Sequence, residues 1–306
     1  MKIVIAVLLC VLTVGAGSLA AQNGPDVSVK KPFGEHMERK NSSGSTQILW
    51  HGGPVLLGNV PIYVIYYGIG FPAQTQDIVN SFLEGLSGTP QFIVNTTYCE
   101  AQTTSCGSGQ SPVSGVLDYP TNLSHTFSDP GSQGMQLNSS NITKVIQHAF
   151  QSGLPAIDDA MYILITAPTV KVPGFCSSFC AYHTYSTGFV SGHVIRYAFV
   201  PEPDSSCTAC DGNFAVYHET STPTGDAGAD EVVDSIMHEL SEIVTDPNLN
   251  AWYTANGAEN GDLCNYKYGN HTFTVNGATA NATWKGYSYL IQQIWANGPL
   301  PQGCAP

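Results

Sequence analysis

Positive charge is scarce in this sequence. The 306 residues hold ten Lys and Arg against 23 Asp and Glu, a formal net charge of −13. That balance argues against nucleic acid as a partner, because phosphate binding requires a basic face. The shortage is uneven. Between Arg196 and Lys267 there is no Lys or Arg, and the same interval holds thirteen Asp and Glu. Such a block costs self-repulsion on folding. It is tolerated on a wet surface or offset by a bound cation. Long apolar runs are also missing after the first 22 residues, so no later segment reads as a membrane span. There is no repeat of fixed period.

The one apolar run is at the start. "MKIVIAVLLCVLTVGAGSLAAQ" has one Lys, then an apolar stretch, then small residues. It reads as a secretory signal peptide over residues 1–21, cleaved after Ala20 or Ala21. Cysteine usage agrees. Cys10 leaves with the signal, and Cys99, Cys106, Cys176, Cys180, Cys207, Cys210, Cys264 and Cys304 remain. An even number in a secreted chain predicts four disulfides and no stable membrane insertion after cleavage. Cys99 with Cys106 and Cys264 with Cys304 are the preferred pairs, the four central cysteines pairing among themselves. A zinc site built from "CSSFC" and "CTAC" is the weighed alternative. Seven Asn-x-Ser/Thr sites, at Asn41, Asn95, Asn122, Asn138, Asn141, Asn270 and Asn281, fit a secreted glycoprotein.

Residues 22–46 are polar and read as a flexible arm. One α/β domain is expected over 47–306. "VPIYVIYYG" (60–68), "QFIVNTTYC" (91–99), "SGVLDY" (114–119), "AMYILITAP" (160–168) and "HVIRYAFVP" (193–201) read as strands. Residues 73–88, 141–153 and about 227–244 read as helices, with a short helix at "YSYLIQQIW" (287–295). Strands alternating with helices predict a single domain whose mixed sheet is covered by helices, with disulfide-stapled loops.

The last long helix carries the chemistry. It contains "HELSE" (238–242), one residue short of the His-Glu-x-x-His signature of zinc peptidases. On a helix, Val232, Ile236, Leu240 and Val244 form an apolar face. Asp234, His238, Glu242 and Asp246 recur every four residues on another. His238 and Glu242 therefore stand one turn apart, spaced to grip one ion as on a zincin-type helix. Glu239 lies beside them, where a general base belongs. Glu242 and Asp246 fall in the last turn, where the helix dipole disfavours negative charge by roughly 0.3–1 kcal/mol each. A divalent cation would remove that conflict; a solvated or hydrogen-bonded acidic face is the bland alternative. Asp246, before the helix-ending Pro247, and Glu259 of "ENGDLC" are candidates to complete the ligand set. His183, His193 and His218 are further candidates. Zinc is the first expectation, with calcium or manganese open because the set is rich in oxygen.

Six blocks resemble the phosphate-induced protein 1 family, also called EXORDIUM-like proteins. They are "GPVLLGNVPIYVIYYG", "GFCSSFCAYH", "CTACDGNFAVYH", "TGDAGADEVV", "IVTDPNLNAWY" and "ENGDLCNYKYG", in order over most of residues 53–269. The resemblance implies an extracellular or cell-wall protein with paired cysteines. In plants such proteins are associated with growth and cell expansion, without a settled biochemical activity. The plant-type pattern has no His-Glu pair on this helix. "HELSE" resembles the microbial-type branch with an HExxE motif.

Three functions follow as expectations. The first is a secreted extracellular or cell-wall protein with a divalent-metal site on the "HELSE" helix. The second is a zinc-dependent metallohydrolase acting on extracellular peptides, with Glu239 as general base. The third is a carbohydrate-binding module using some of the fifteen Tyr and four Trp as stacking platforms.

Overall fold

The computed structural model describes residues 47–101, 103–298 and 302–306. The expected signal peptide, the N-terminal arm, Cys10 and Asn41 lie outside the described residues. The chain begins with a two-residue strand β1 (Leu49–Trp50), then β2 (Asn59–Tyr67), helix α1 (Thr75–Leu86) and a short helix α2 (Pro90–Ile93). Strands β3 (Val116–Asp118) and β4 (Thr126–Asp129) precede helix α3 (Ser139–Gln151). Then come β5 (Met161–Thr166), β6 (Tyr182–Ser186), β7 (Ile195–Pro201), the short α4 (Gly212–Tyr217) and the long α5 (Ala227–Thr245).

The main sheet is mixed and runs β3-β2-β5-β7-β6, with β4 also on β2. All its pairings are parallel except β6 against β7, which is antiparallel. Side chains alternate across the sheet, as the two-residue period of a strand requires. Ile62, Val64, Ile163, Ile165, Ala198 and Val200 face the layer holding α1 and α5. Tyr63, Ile65, Tyr162, Leu164, Tyr197 and Phe199 face the layer holding α3. The strands are apolar on both faces because both faces are covered. The fold is thus the expected single α/β domain with a helix-covered mixed sheet.

Every residue of α5 from Ala229 to Thr245 is buried. It contacts β5, β6, β7 and α1. A helix enclosed on all sides must satisfy its polar residues internally, and α5 carries five carboxylates and one imidazole in this span.

Two expectations fail. Residues 91–99 are not a strand but α2 followed by a 3-10 turn, Val94–Thr97. Thr89 accepts the Phe92 N–H as cap and Pro90 stands at the first helical position, local signals that outweigh the β-branched composition. Residues 287–295 are not a helix but two short strands, Tyr287–Tyr289 and Ile294–Ala296. The first closes a hairpin on Ala282–Trp284. Its two turn residues, Lys285 and Gly286, have φ of 51° and 86°, the left-handed pair of a tight hairpin turn. Helix α3 starts two residues early, capped by Asn138 with Asn141 completing the capping box.

All eight described cysteines are paired. Cys99–Cys106 and Cys264–Cys304 form as expected, and the central four pair as Cys176–Cys207 and Cys180–Cys210. Pairing of the central four removes the alternative thiolate zinc site. Besides the capping pair Asn138 and Asn141, two more sequon asparagines bond within the fold. Asn95 is fully buried, and its amide donates to Phe92 O and Ser241 Oγ. The Asn281 amide donates to Tyr268 O and Ile291 O.

Candidate metal centre

Three segments meet at the inner face of α5. The helix presents His238, Glu239 and Glu242; β6 supplies His183; the loop after the helix supplies Glu259 and Asp262. His238 and Glu239 are each 1% exposed, Glu259 2%, and His183 and Glu242 4%. These values exclude the solvated-face reading. The face is buried, so its charges are met inside the protein.

The i, i+4 spacing brings two of these side chains together. His238 Nε2 lies 3.1 Å from Glu242 Oε1. The other oxygen of Glu242 is 3.2 Å from His183 Nδ1, so one carboxylate spans both imidazoles. Glu239 Oε2 is 3.1 Å from the same His183 nitrogen. His183 Nε2 faces Glu259 Oε1 at 3.7 Å, and Asp262 Oδ1 is 3.8 Å from His238 Nε2. Ligands about 2.1 Å from a tetrahedral ion stand roughly 3.4 Å apart. The distances here fall on both sides of that value. His183, Glu242 and Glu259 offer atoms all within 4.8 Å of one another, as do His238, Glu239 and Glu242.

Hydrogen bonds fix which nitrogens are free to ligate. The Gln292 amide donates from Nε2 to Gly261 O, so its Oε1 is the atom 3.1 Å from His238 Nδ1. That nitrogen must donate, which leaves the His238 Nε2 lone pair toward Glu242. Gln292 is itself held, its N–H donating to Asp234 Oδ1, while Tyr268 donates to Asp234 Oδ2. Such outer partners orient metal-binding imidazoles. At His183, Nδ1 faces two carboxylates and Nε2 has no hydrogen-bond partner. Glu239 Oε1 likewise has none.

Electrostatics show the same excess of negative charge. Only five Lys and Arg stand after residue 46. Among the described residues Arg196 is the buried one, and its guanidinium donates to Asn248 and to the Asp158 carbonyl. Burial alone would push both imidazoles toward neutrality. Hydrogen bonds to Glu239 and Glu242 overcome it at His183, raising it to about 9. The Glu242 charge does the same at His238, to about 10. Burial pushes Glu239 upward and, with the Glu242 charge, pushes Asp262 to about 7. Glu242 is held well below the usual range by the two imidazoles, against burial. Glu239, Glu242 and Asp262 thus draw protons onto two imidazoles. A divalent cation could take the place of those protons, and the mixed N/O donor set fits zinc or a harder ion.

The structure does not bring every candidate here. Asp246 turns away to close the loop after α5, its Oδ1 accepting the N–H groups of Asn250 and Ala251. His193 lies on the surface against Asp158. His218 ends α4 with a φ of 58°. Gln292 gave no sequence signal, because the segment around it reads as a short helix and carries no ligand-type residue. The strand carrying His183 was likewise unread.

The family model described as the phosphate-induced protein 1 conserved region matches residues 48–298. Protein EXORDIUM-like 3 of Arabidopsis thaliana is 27% identical, over 84% of this chain and 83% of its own length. Protein EXORDIUM-like 5 of the same plant is 28% identical, over 84% and 77%. Protein PHOSPHATE-INDUCED 1 of Nicotiana tabacum is 25% identical, over 67% and 66%. No solved structure matches the chain.

Proposed function

The chain belongs to the phosphate-induced protein 1 family, and from that membership we propose that it is a secreted extracellular or cell-wall protein stabilised by a buried divalent ion, zinc first. His183, Glu242 and Glu259 would hold the ion, with His238 beside them at the other oxygen of Glu242. The four disulfides support an oxidising compartment. Among the described residues no helix is long and apolar enough to cross a membrane.

One observation carries the structural role of the ion: none of these four residues is more than 4% exposed. Structural metal sites are closed, whereas catalytic ones keep a position open to substrate. The bound ion would neutralise carboxylates that no Lys or Arg meets. Elemental analysis of the purified protein, with melts before and after chelation, tests this. Bound metal at one ion per chain and a lowered midpoint on chelation are expected. A metal-free protein with an unchanged midpoint would refute it.

Glu239 favours a second reading, a metallohydrolase acting on extracellular peptides. Its Oε1 is buried without a hydrogen-bond partner, beside the ligands on the same helix. The metal would polarise a carbonyl and acidify water, and Glu239 would take the proton. Glu239→Gln separates the two roles. A catalytic Glu239 loses peptide hydrolysis by roughly a hundredfold or more with metal retained. A structural one leaves no such activity to lose.

A further inference from the structure

A second acidic site lies at the other end of α5. The carboxyl ends of β5 and β7 open into a crevice, the position where parallel α/β sheets bind ligands. A cavity of about 360 Å³ there is lined by Glu202, Asp204, Asp211 and Asp226, with Pro72 and Pro168 among its apolar walls. Its lining contains no Lys, Arg or His. A second cavity of about 360 Å³ shares Pro168, Glu202, Asp204 and Cys207 with it and has Lys171 on its far wall.

Three of the four carboxylates have protein donors. Asp211 caps α4, accepting the Asn213 and Phe214 N–H groups. Asp226 caps α5, accepting the Ala229 N–H. Asp204 meets Lys171 at 3.3 Å and the Ser206 N–H at 3.0 Å. Glu202 differs. It is 2% exposed, and its Oε2 has no hydrogen-bond partner. Its Oε1 lies 2.9 Å from the Thr75 hydroxyl, which is also 3.1 Å from Asp226 Oδ2. One hydroxyl proton cannot serve both. Gly228 leaves the space for this carboxylate, since a Cβ there would come 2.9 Å from Glu202 Oε1. A buried carboxylate oxygen without a donor is costly, and a donor arriving from the cavity would remove that cost.

We propose that this crevice binds an alkylammonium group, with Glu202 meeting the ammonium and the proline walls taking its methylenes. The shared chemistry is a primary amine on an aliphatic stem, whether a free polyamine or a lysine side chain on an extracellular peptide. The acidic walls favour a cation, and the apolar walls and volume suit an organic one over a bare ion.

The test is calorimetric titration of the full chain with spermidine, and separately with a short lysine-containing peptide, at about pH 8.5 and fixed ionic strength, where Glu202 is ionised. At least one should bind, and Glu202→Gln should weaken it tenfold or more. Thr208→Arg, at an exposed position in the cavity lining, places a guanidinium in the crevice and should abolish binding without loss of fold. Binding of spermidine identifies a free amine as the source; binding of the peptide alone identifies a lysine side chain. No binding of either probe overturns the proposal, as does binding unaffected by Thr208→Arg. Binding of calcium at this site with neither amine also overturns it.

Discussion

His183 and Glu239 stand 56 residues apart in sequence and 3.1 Å apart in space, Nδ1 to Oε2. The contact joins the antiparallel edge strand β6 to the middle of α5. It orients both residues at once: the imidazole turns Nε2 toward Glu259, and the carboxylate leaves Oε1 without a partner. The candidate centre is therefore built across the domain, and each part can be tested separately.

His183→Ala should lose the bound metal and lower the melting midpoint, while His193→Ala should do neither. A ligand that binds only the native state stabilises by about 2.7 kcal/mol at a hundred times its dissociation constant, so His183→Ala should cost a few kcal/mol in metal-loaded buffer. Metal content and melts of the two variants decide it. A His183→Ala protein that retains its ion would remove His183 from the ligand set.

Gly261→Ala should damage the same centre without touching a ligand. A Cβ at Gly261 would lie 2.9 Å from Glu242 Oε1 and 3.0 Å from His238 Nδ1. Both groups are fixed by the cluster and cannot yield cheaply. Metal affinity should fall at least tenfold. Gly257→Ala is a poor control because its φ of 85° is itself strained; Gly303→Ala, with open space around its Cβ, is a better one. Equal metal affinity in Gly261→Ala and the parent would contradict the packing described here.

The sequence made α5 legible because periodicity survives full burial: Val232, Ile236 and Leu240 mark one face, and His238 with Glu242 marks another. It also exposed the missing basic residues. It could not show that the acidic face is enclosed, because burial of α5 depends on β6, β7 and the tail packing around it. Asp246 misled for a local reason. Its four-residue spacing from Glu242 continues the helix pattern, but Pro247 breaks the helix and the side chain closes the turn instead. The tail strands were hidden behind short turns with positive φ: Asn276-Gly277, which joins Phe273–Val275 to Ala278–Ala280, and Lys285-Gly286.

A chain lacking residues 1–21 should titrate with no free thiol under denaturing, non-reducing conditions. Peptide mapping should recover Cys99–Cys106, Cys176–Cys207, Cys180–Cys210 and Cys264–Cys304. The two central bridges tie the loop before β6 to the loop after β7, so they brace the strand that carries His183. Replacing Cys180 and Cys210 together by Ala should cost about 2–4 kcal/mol and weaken metal binding. Two reactive thiols per chain, or a Cys176–Cys180 bridge, would refute this arrangement.

Glu202 should make stability fall as pH rises. Burial, with a smaller push from Asp226 and against the Thr75 hydrogen bond, raises its carboxyl from 4.5 to about 8. Below about pH 4.5 both folded and unfolded chains hold the proton. Between there and pH 8 the unfolded chain has released it and the folded chain has not, so each unit of pH costs up to about 1.4 kcal/mol. Above pH 8 the loss is complete. Asp230, raised to about 7 by burial, adds a contribution of the same sign. Glu202→Gln cannot ionise and should remove its share of the slope. Denaturant melts of parent and variant should therefore nearly coincide at pH 4.5, with the variant more stable by a few kcal/mol at pH 8.5. Both should be metal-loaded, so that the imidazoles of the other site do not titrate in the same window. Parallel stability curves for the two proteins across that range would show that Glu202 is already ionised in the folded state and that a donor outside the described contacts holds it.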